Sequence, residues 1–317
     1  MAKKKRSNSN EVRLQQLRSF CETARLGSLT AAAHALGLTQ PTIGEQVHAL
    51  EREFQAQLVE PHGRGCRLTE SGRILAELAT PLLAGIDSLK ASFREASDQQ
   101  GSRLTIASSP RTLAEDILDC LPSFERDFPT AQVSCLEMWT ESVVESVRSG
   151  KAHLGLTLSA AIDRSCRLIE VEPGYELDLL LVTPKKHPLA RRRTLRLEEI
   201  AEFPIVNGRD SVFDPAISEA LIKADVFKRH PSRVEATYTA AVRRFVSRGF
   251  GVGFVFGLPG QPVEEGLSER SLSRLVGRTR IDLVWRRGAI APRYARDFAD
   301  SLKQSMAEKR ASAEKEM

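Results

Sequence analysis

The sequence predicts an α/β protein in three parts: a helical head closed by a small β-hairpin, a long apolar-striped helix, and two α/β lobes. Three observations predict it. Apolar residues recur at helical spacing through the first hundred residues, broken by one Pro- and Gly-rich stretch near residue 61. Leucines then repeat every seven residues at Leu75, Leu82 and Leu89. From Leu104 onward, short apolar runs alternate with amphipathic helices, as in parallel sheets covered by helices on both faces.

Composition sets the outer limits. The chain has 317 residues, 41% hydrophobic and 27% charged, the balance of a globular protein of two or three domains. No apolar run approaches the length that spans a bilayer. The opening "MAKKKRSNSN" (residues 1–10) reads as a disordered basic arm, because no apolar region follows it as a secretory signal requires. Five cysteines (Cys21, Cys66, Cys120, Cys135, Cys166) form no CxxC and fit buried thiols in a reducing cytoplasm. The net charge of +5 mildly favours an anionic partner.

The elements follow in order. Leu14, Leu17, Phe20, Cys21 and Ala24 make one stripe of a first helix, which "RLGS" stops. Ser28 or Thr30 caps a short second helix, "AAAHAL". Ala33, Gly37 and Ile43 then supply what two steeply crossed helices need: a small residue, a turn glycine and a branched plug.

The third helix starts at Thr39 as N-cap, with Gln40 and Pro41 in its first turn, where proline loses no hydrogen bond. Ile43, Val47, Leu50 and Phe54 form its apolar stripe; Pro41, Glu45, His48 and Arg52 face away from it. Gly44 borders that open face. A helix entering a major groove presents its N-terminal residues to base edges, and a missing side chain lets backbone approach. Gln40 is suited to adenine and Glu45 to a cytosine amino group. A helical hairpin with a merely solvated face would look similar, but the next stretch weighs against that. "EPHGRGCRLTESG" (residues 60–72) reads as a β-hairpin with Arg64 at its tip and Arg67 on the returning strand, shaped to lie on phosphates or enter a minor groove. The candidate DNA-binding residues are Ser28, Thr30, Thr39, Gln40, Pro41, Thr42, Glu45, His48, Arg64 and Arg67.

This segment resembles the winged helix-turn-helix of LysR-type transcriptional regulators. The resemblance is carried by Leu17, Phe20, Ser28, Ala32-Ala33, Leu36, Gln40-Pro41, Gln46, Leu50-Glu51, Leu58, Arg64, Leu68-Thr69 and Gly72, without a gap. It implies that the third helix reads the major groove and the wing the minor groove, with Gln40, Pro41, Thr42, Glu45 and Arg64 in contact. Three residues depart from the family pattern. Gly44 stands where serine is usual, and Val59 and Pro61 where Phe and Arg are usual; His62 or Arg67 is left to replace the missing arginine.

Residues 73–98 read as one long segment whose seam holds Leu75, Leu82 and Leu89 with Leu78, Ile86 and Phe93 between them. In LysR-type proteins this is the linker helix that pairs two subunits, so the resemblance implies a homodimer, and beyond it a homotetramer. Pro81 removes one backbone hydrogen bond, which predicts a bend near residues 77–81 or two helices. "SDQQGSR" (97–103) reads as a hinge. The domain division is therefore 1–10, an arm; 11–72, the head; 73–98, the linker; and 103–308, an effector-binding domain. Within the last, one lobe covers about 103–158 with a final helix 292–308, and the other about 162–288.

In the lobes, "RLTIAS", "AQVSCLEM" and "AHLGLTL" read as strands, with helices at "PRTLAEDILDCLPSFERDFP" and "TESVVESVRSG". "ELDLLLVTP", "FPIVNG", "RVEATY", "GVGFVFG" and "RIDLVWRR" read as the strands of a second unit, with helices near 214–225 and 239–248. The tail "KRASAEKEM" reads as disordered. Two such units suit a clamshell, and ligands of open α/β sheets sit beyond the carboxyl ends of strands. That rule points to Ser108, Ser109 and Thr112, to Thr157 and Ser159, to Asn207 with Arg209, and to Tyr238 and Thr239; Arg111 supplies a charge. Hydroxyls at helix N-termini suit a small anion, although each is also an ordinary helix cap. The pattern resembles the periplasmic-binding-protein-like effector domain of LysR-type regulators through "LPSFERDFP", "VRSGKAHLGL" and "VSRGFGVGFVFG". His153 stands where that family often has aspartate, and reads as a satisfied helix-end histidine.

Catalytic signals are weak. The glycines of "RGFGVGFVFG" follow a helix and precede a strand, the reverse of a dinucleotide-binding loop, so Gly249 reads as a helix terminator. The histidines show no metal spacing, and no cofactor is expected. The basic run "KKHPLARRRTLR" (185–196) reads as a solvated loop, or else an intersubunit or DNA-facing patch. The leading expectation is a cytoplasmic, non-enzymatic, ligand-responsive DNA-binding regulator that takes a small anionic effector between its lobes. The alternative is a solute-binding or metabolic α/β protein whose N-terminal part only oligomerises.

Overall fold

The computed structural model describes residues 14–63, 65–96, 103–206, 214–227 and 234–316. The chain divides into two compact units. Among the described residues, the first holds 14–96 with the short segments Cys166–Glu170 and Arg286–Ala291; the second holds the rest. The arm, the 97–102 hinge, Arg64, Asn207 and Arg209 lie outside the described residues.

In the first unit, α1 (Leu14–Leu26), α2 (Leu29–Leu36) and α3 (Gln40–Phe54) precede a hairpin of β1 (Val59–His62) and β2 (Gly65–Leu68), and α4 (Glu70–Ala96) follows. Ser28 caps α2, its hydroxyl accepting from the Ala31 N–H at 3.3 Å, which decides between the two expected caps. Gly37 ends α2 with φ 66°, a left-handed conformation that favours glycine. Phe20, Ala32, Ala33, Ile43, Val47, Leu50, Leu58 and Leu75 form the core. Phe54, expected in the stripe, is exposed because the α3 end outruns that core. The buried Ser19 donates to Gln46, tying α1 to α3 through a polar pair.

The hairpin pairs Val59 with Leu68, Glu60 with Arg67 and Pro61 with Cys66. It hangs from the α1–α2 turn by the Cys66 N–H, which donates to the Gly27 carbonyl at 2.9 Å. Gly72 sits where any Cβ would stand 2.0 Å from the Leu58 carbonyl oxygen, so α4 can start there only with glycine. Contrary to the expected break, α4 is a single helix through Pro81. Proline deprives only one carbonyl of its donor, and the helix continues around it. The seam is also shifted from the heptad reading. Leu75 is buried in its own unit, whereas Leu78, Leu82, Ile86, Leu89 and Phe93 are exposed.

The second unit is built on one seven-stranded sheet with order β4-β3-β5-β9-β6-β7, and β8 pairing β6. Its elements are β3 (Arg103–Ser108), α5 (Pro110–Thr112), a π-turn (Leu113–Ile117), α6 (Leu118–Asp127), β4 (Gln132–Glu137), α7 (Thr140–Arg148) and β5 (Leu154–Leu158). Then come β6 (Ile169–Pro184), α8 (Pro188–Arg191), α9 (Leu197–Ile200), α10 (Pro215–Lys223), α11 (Thr239–Ser247) and β7 (Gly253–Gly257). The last are β8 (Leu267–Ser271), α12 (Ser273–Val276), β9 (Arg278–Arg286) and α13 (Arg293–Glu316). β3 pairs in parallel with β4 and β5, as the βαβαβ pattern predicts. β5 pairs antiparallel with β9, and β6 antiparallel with β7 and β8.

The long β6 explains its own composition. Leu179 and Leu181 pack into one core with Ile200, Ile217 and Phe254, while Leu180 and Val182 pack into another with Val242, Val246 and Val255. A strand buried on both faces reads as a continuous apolar run. Among the described residues, two expected strands are absent. "FPIVNG" contributes only an isolated bridge from Ile205 to Val252, and the described part of "RVEATY" only an Ala236 N–H bond to the Val206 carbonyl. The strand β8, "LSERS", was hidden by its polar residues. The final helix continues past residue 308 to Glu316; Ala313 is buried, and Arg310 bonds Asp178 at 3.1 Å.

Candidate functional site

Two surfaces gather the chemistry, one in each unit. The first is the polar side of α3. Thr39 caps the helix with φ −89° and ψ 151°, its hydroxyl 2.8 Å from that of Thr42. Gln40, Pro41, Glu45, His48 and Arg52 are exposed, and Thr42 and Gly44 are half-buried. Nothing lies within 4 Å of the place a Gly44 Cβ would take, so no neighbour in the chain demands glycine there. Thr30 is exposed at the start of α2; Ser28 is committed to its cap.

Two members of this set already hold partners. His48 Nδ1 lies 2.7 Å from Glu51, whose other carboxylate oxygen accepts from the Leu58 N–H at 2.9 Å. Burial opposes the Glu51 charge, but the N–H groups of Leu58 and Val59 and the His48 ring outweigh it and hold the carboxyl below its usual range. Arg67 donates to Glu60 at 2.7 Å directly across the hairpin. As a substitute for an arginine at position 61, it is therefore half-committed; His62 is exposed.

The second surface is a cavity of about 360 Å³ inside the second unit. Three helix starts meet on it. Ser109 caps α5, accepting from the Thr112 N–H at 3.3 Å. Thr140 opens α7 after Trp139, and Thr239 opens α11 after Tyr238. Thr157 joins them, its hydroxyl donating to the Thr140 carbonyl at 3.3 Å. Of the residues predicted from strand ends, Ser109, Arg111, Thr112, Thr157, Tyr238 and Thr239 line this cavity.

Three predictions need correction. Ser108 is fully buried at the end of β3 and does not reach the cavity, because alternate strand residues point to opposite faces. Ser159 lies off the lining, its hydroxyl accepting from Arg164 at 2.9 Å. Arg111 does line the wall, but its charge is spent internally. It pairs with the buried Asp116, and Glu115 lies 3.6 Å away. Burial works against the Arg111 charge, yet Asp116, Tyr175 and Glu115 overcome it and raise its pKa.

Sequence reasoning missed Trp139, Thr140 and Thr237, and the apolar wall of Leu158, Leu177, Phe254, Phe256 and Ile281. Trp139 and Thr140 follow β4, so the strand-end rule would have found them. The wall had no local signal, since its residues read as ordinary strand core. Trp139 and Tyr238 come from opposite lobes and meet with ring centroids 5.1 Å apart.

Behind Arg111 lies a smaller cavity of about 190 Å³ lined by charged groups. There Arg243 on α11 bonds Glu115 of the first lobe and Glu269 on β8 of the second, each at 2.6 Å. His153 accepts the Thr105 N–H on Nδ1 at 3.0 Å, joining β5's approach to β3, and burial lowers its pKa. All five cysteines are free; burial pushes the Cys120 thiol up to about 12, which leaves it unreactive. Among the described residues, no group of three His, Cys, Asp or Glu is placed to hold a metal.

Comparisons with known proteins agree with this layout. Residues 14–73 match the bacterial regulatory helix-turn-helix proteins of the lysR family, and residues 97–307 match the LysR substrate binding domain. The chain is 28% identical over 293 residues to the HTH-type transcriptional regulator SsuR of Burkholderia cenocepacia, covering 90% of this chain and 92% of that protein. It is 25% identical over 303 residues to CysB of the same organism, covering 93% and 94%. Among solved structures, an OxyR mutant of Corynebacterium glutamicum gives a TM-score of 0.56 at 22% identity, covering 98% of this chain and 96% of that one. CbnR, a LysR family transcriptional regulator, gives 0.53 at 23%, covering 92% and 99%.

Proposed function

The chain belongs to the LysR family of bacterial regulatory helix-turn-helix proteins, and from that premise we propose how its own residues act. It is a ligand-responsive transcriptional regulator with a DNA-binding head and a substrate-binding domain. In our reading, α3 enters the major groove, with Gln40 and Glu45 reading base edges and Thr39, Thr42 and the hairpin holding phosphates. Gly44 lets the helix backbone come closer to the duplex. The exposed stripe from Leu78 to Phe93 on α4 pairs two copies, and pairs of dimers bind an inverted repeat in the cytoplasm. A small anion in the 360 Å³ cavity biases the lobes, to the extent that it prefers one arrangement of them.

The observation that carries this reading is the free polar face of α3, where Gln40, Pro41, Glu45 and Arg52 are exposed beyond a capped first turn. The test is duplex affinity measured by fluorescence anisotropy across a salt series. Wild-type affinity should fall steeply as salt rises. Gln40→Ala should lose about 1–3 kcal/mol on the specific site and little on random duplex. Equal losses on both duplexes would remove Gln40 from base reading.

A further inference from the structure

The walls of the larger cavity say what kind of molecule fills it, and this inference rests on reading that cavity as the effector site. Its volume of about 360 Å³ equals the share of roughly a dozen waters at about 30 Å³ each. A tetrahedral inorganic anion would occupy a small part of that space. The remainder is faced by Leu158, Leu177, Phe254, Phe256 and Ile281, which gain nothing from an ion and much from an apolar body.

Charge narrows the choice further. Arg111 is the one charged residue among the described lining residues, and the buried Asp116 already holds its guanidinium. Tyr175 donates to that same carboxylate. Among the described residues, no unmatched cation therefore faces the cavity to receive a dianion. What remains for a negative charge is the hydroxyls of Ser109, Thr140 and Thr239, and such neutral donors suit a single, delocalised charge.

The rim adds flat surfaces. Trp139 is 56% exposed and Tyr238 45%, unusually open for rings that touch each other. Aromatic faces left on a cavity mouth offer stacking area to a planar guest.

We propose that the effector is an organic monoanion: a carboxylate or sulfonate carried on a planar apolar body of about one ring. Its anionic end meets the hydroxyls of Ser109, Thr140 and Thr239. Its body lies against Phe254, Phe256 and Leu177 beneath Trp139.

The full-length protein reports on this directly, because Trp139 is the exposed one of its two tryptophans and Trp285 is buried. Benzoate, benzenesulfonate, benzamide, inorganic sulfate and phenyl phosphate would each be titrated while tryptophan emission and melting temperature are followed. Benzoate or benzenesulfonate should quench emission and raise the melting temperature. Trp139→Phe should abolish most of the quench and keep the thermal shift, whereas Trp139→Ala should weaken binding about tenfold. Leu177→Trp, which fills the cavity, should abolish the binding of both aryl monoanions.

Sulfate binding as tightly as benzenesulfonate would overturn the proposal, as would benzamide matching benzoate or phenyl phosphate exceeding both. Silence from every aryl monoanion at millimolar concentration would overturn it too. A different failure strikes the regulatory role instead. If an aryl monoanion binds at Trp139 yet leaves operator affinity unchanged, the ligand class stands and the cavity is not a regulatory effector site.

Discussion

The polar face proposed to meet DNA and the cavity proposed to take the effector are assembled by opposite rules. The centre of the first is one face of one helix, whose residues lie between Thr39 and Arg52. The second is made by residues near 109, 140, 157 and 239 that share nothing in the sequence until the sheet order brings their strand ends together. A local surface tolerates change in its surroundings as long as its helix forms. A surface made of distant pieces inherits every shift of the elements that carry them. If the α3 face matches a rigid duplex and the cavity responds to a ligand, the first is built locally and the second from separate pieces.

The contrast can be strained most severely outside both surfaces, at α4. Leu82 and Leu89 are 64% and 57% exposed on the described chain. If they pair two copies, Leu82→Glu with Leu89→Glu should raise the dimer dissociation constant by roughly ten-thousandfold or more, since each leucine contributes about 1.5–3 kcal/mol and the pair is lost from both copies. Sedimentation equilibrium would measure it, and ligand binding per subunit should persist.

Gly72→Ala comes next. Its Cβ would meet the Leu58 carbonyl, and the head should lose about 2–3 kcal/mol in urea unfolding. DNA affinity should fall with it, while ligand affinity holds.

Arg243→Met tests the other side. It leaves Glu269, 8% exposed, without the Arg243 partner and unties one lobe from the other. A change of about 1–2 kcal/mol is expected, after allowance for the partial exposure of Arg243, in the stability or ligand affinity of the lobes. The α3 face should bind a short duplex as before.

The smallest effect is the most discriminating, because acid should reach the two regions in sequence. His153 is held neutral, so its contribution is present above its usual pKa near 6.5 and is lost as pH falls through its lowered folded value. Glu51 is held charged, and its contribution survives until pH falls below its usual value near 4.5 toward its lowered folded value. Chemical denaturation between pH 7 and 4 should weaken the lobes before the head, and His153→Gln should flatten the upper part of that profile.

The difference in construction also decides what could be read from residues alone. The head was legible almost completely. Ser28, Gly37 and Thr39 are caps and terminators whose signals act within a few residues, and each occupies the place its chemistry requires. The alternating strands and helices of the first lobe were legible for the same reason. In the second lobe, "FPIVNG" looked like a strand because apolar β-branched residues are needed in any core, paired or not. The polar β8 carried no strand signal because its side chains answer other charged groups, such as Glu269 to Arg243. For the cavity, strand-end and capping hydroxyls gave about a third of the lining. Ser108 was lost because strand ends fix a position only to within one residue, and one residue reverses the face. Phe254 and Ile281 were invisible because an apolar residue facing a cavity and one facing a core have identical neighbours in the chain.

Arg243 grips a carboxylate from each lobe with a single planar group. A guanidinium fork has fixed angles, so parting the lobes on that side would stretch its bonds to Glu115 and Glu269 together. A molecule that favours parted lobes would have to meet the loss of that grip, together with the Trp139–Tyr238 contact, among the costs of opening.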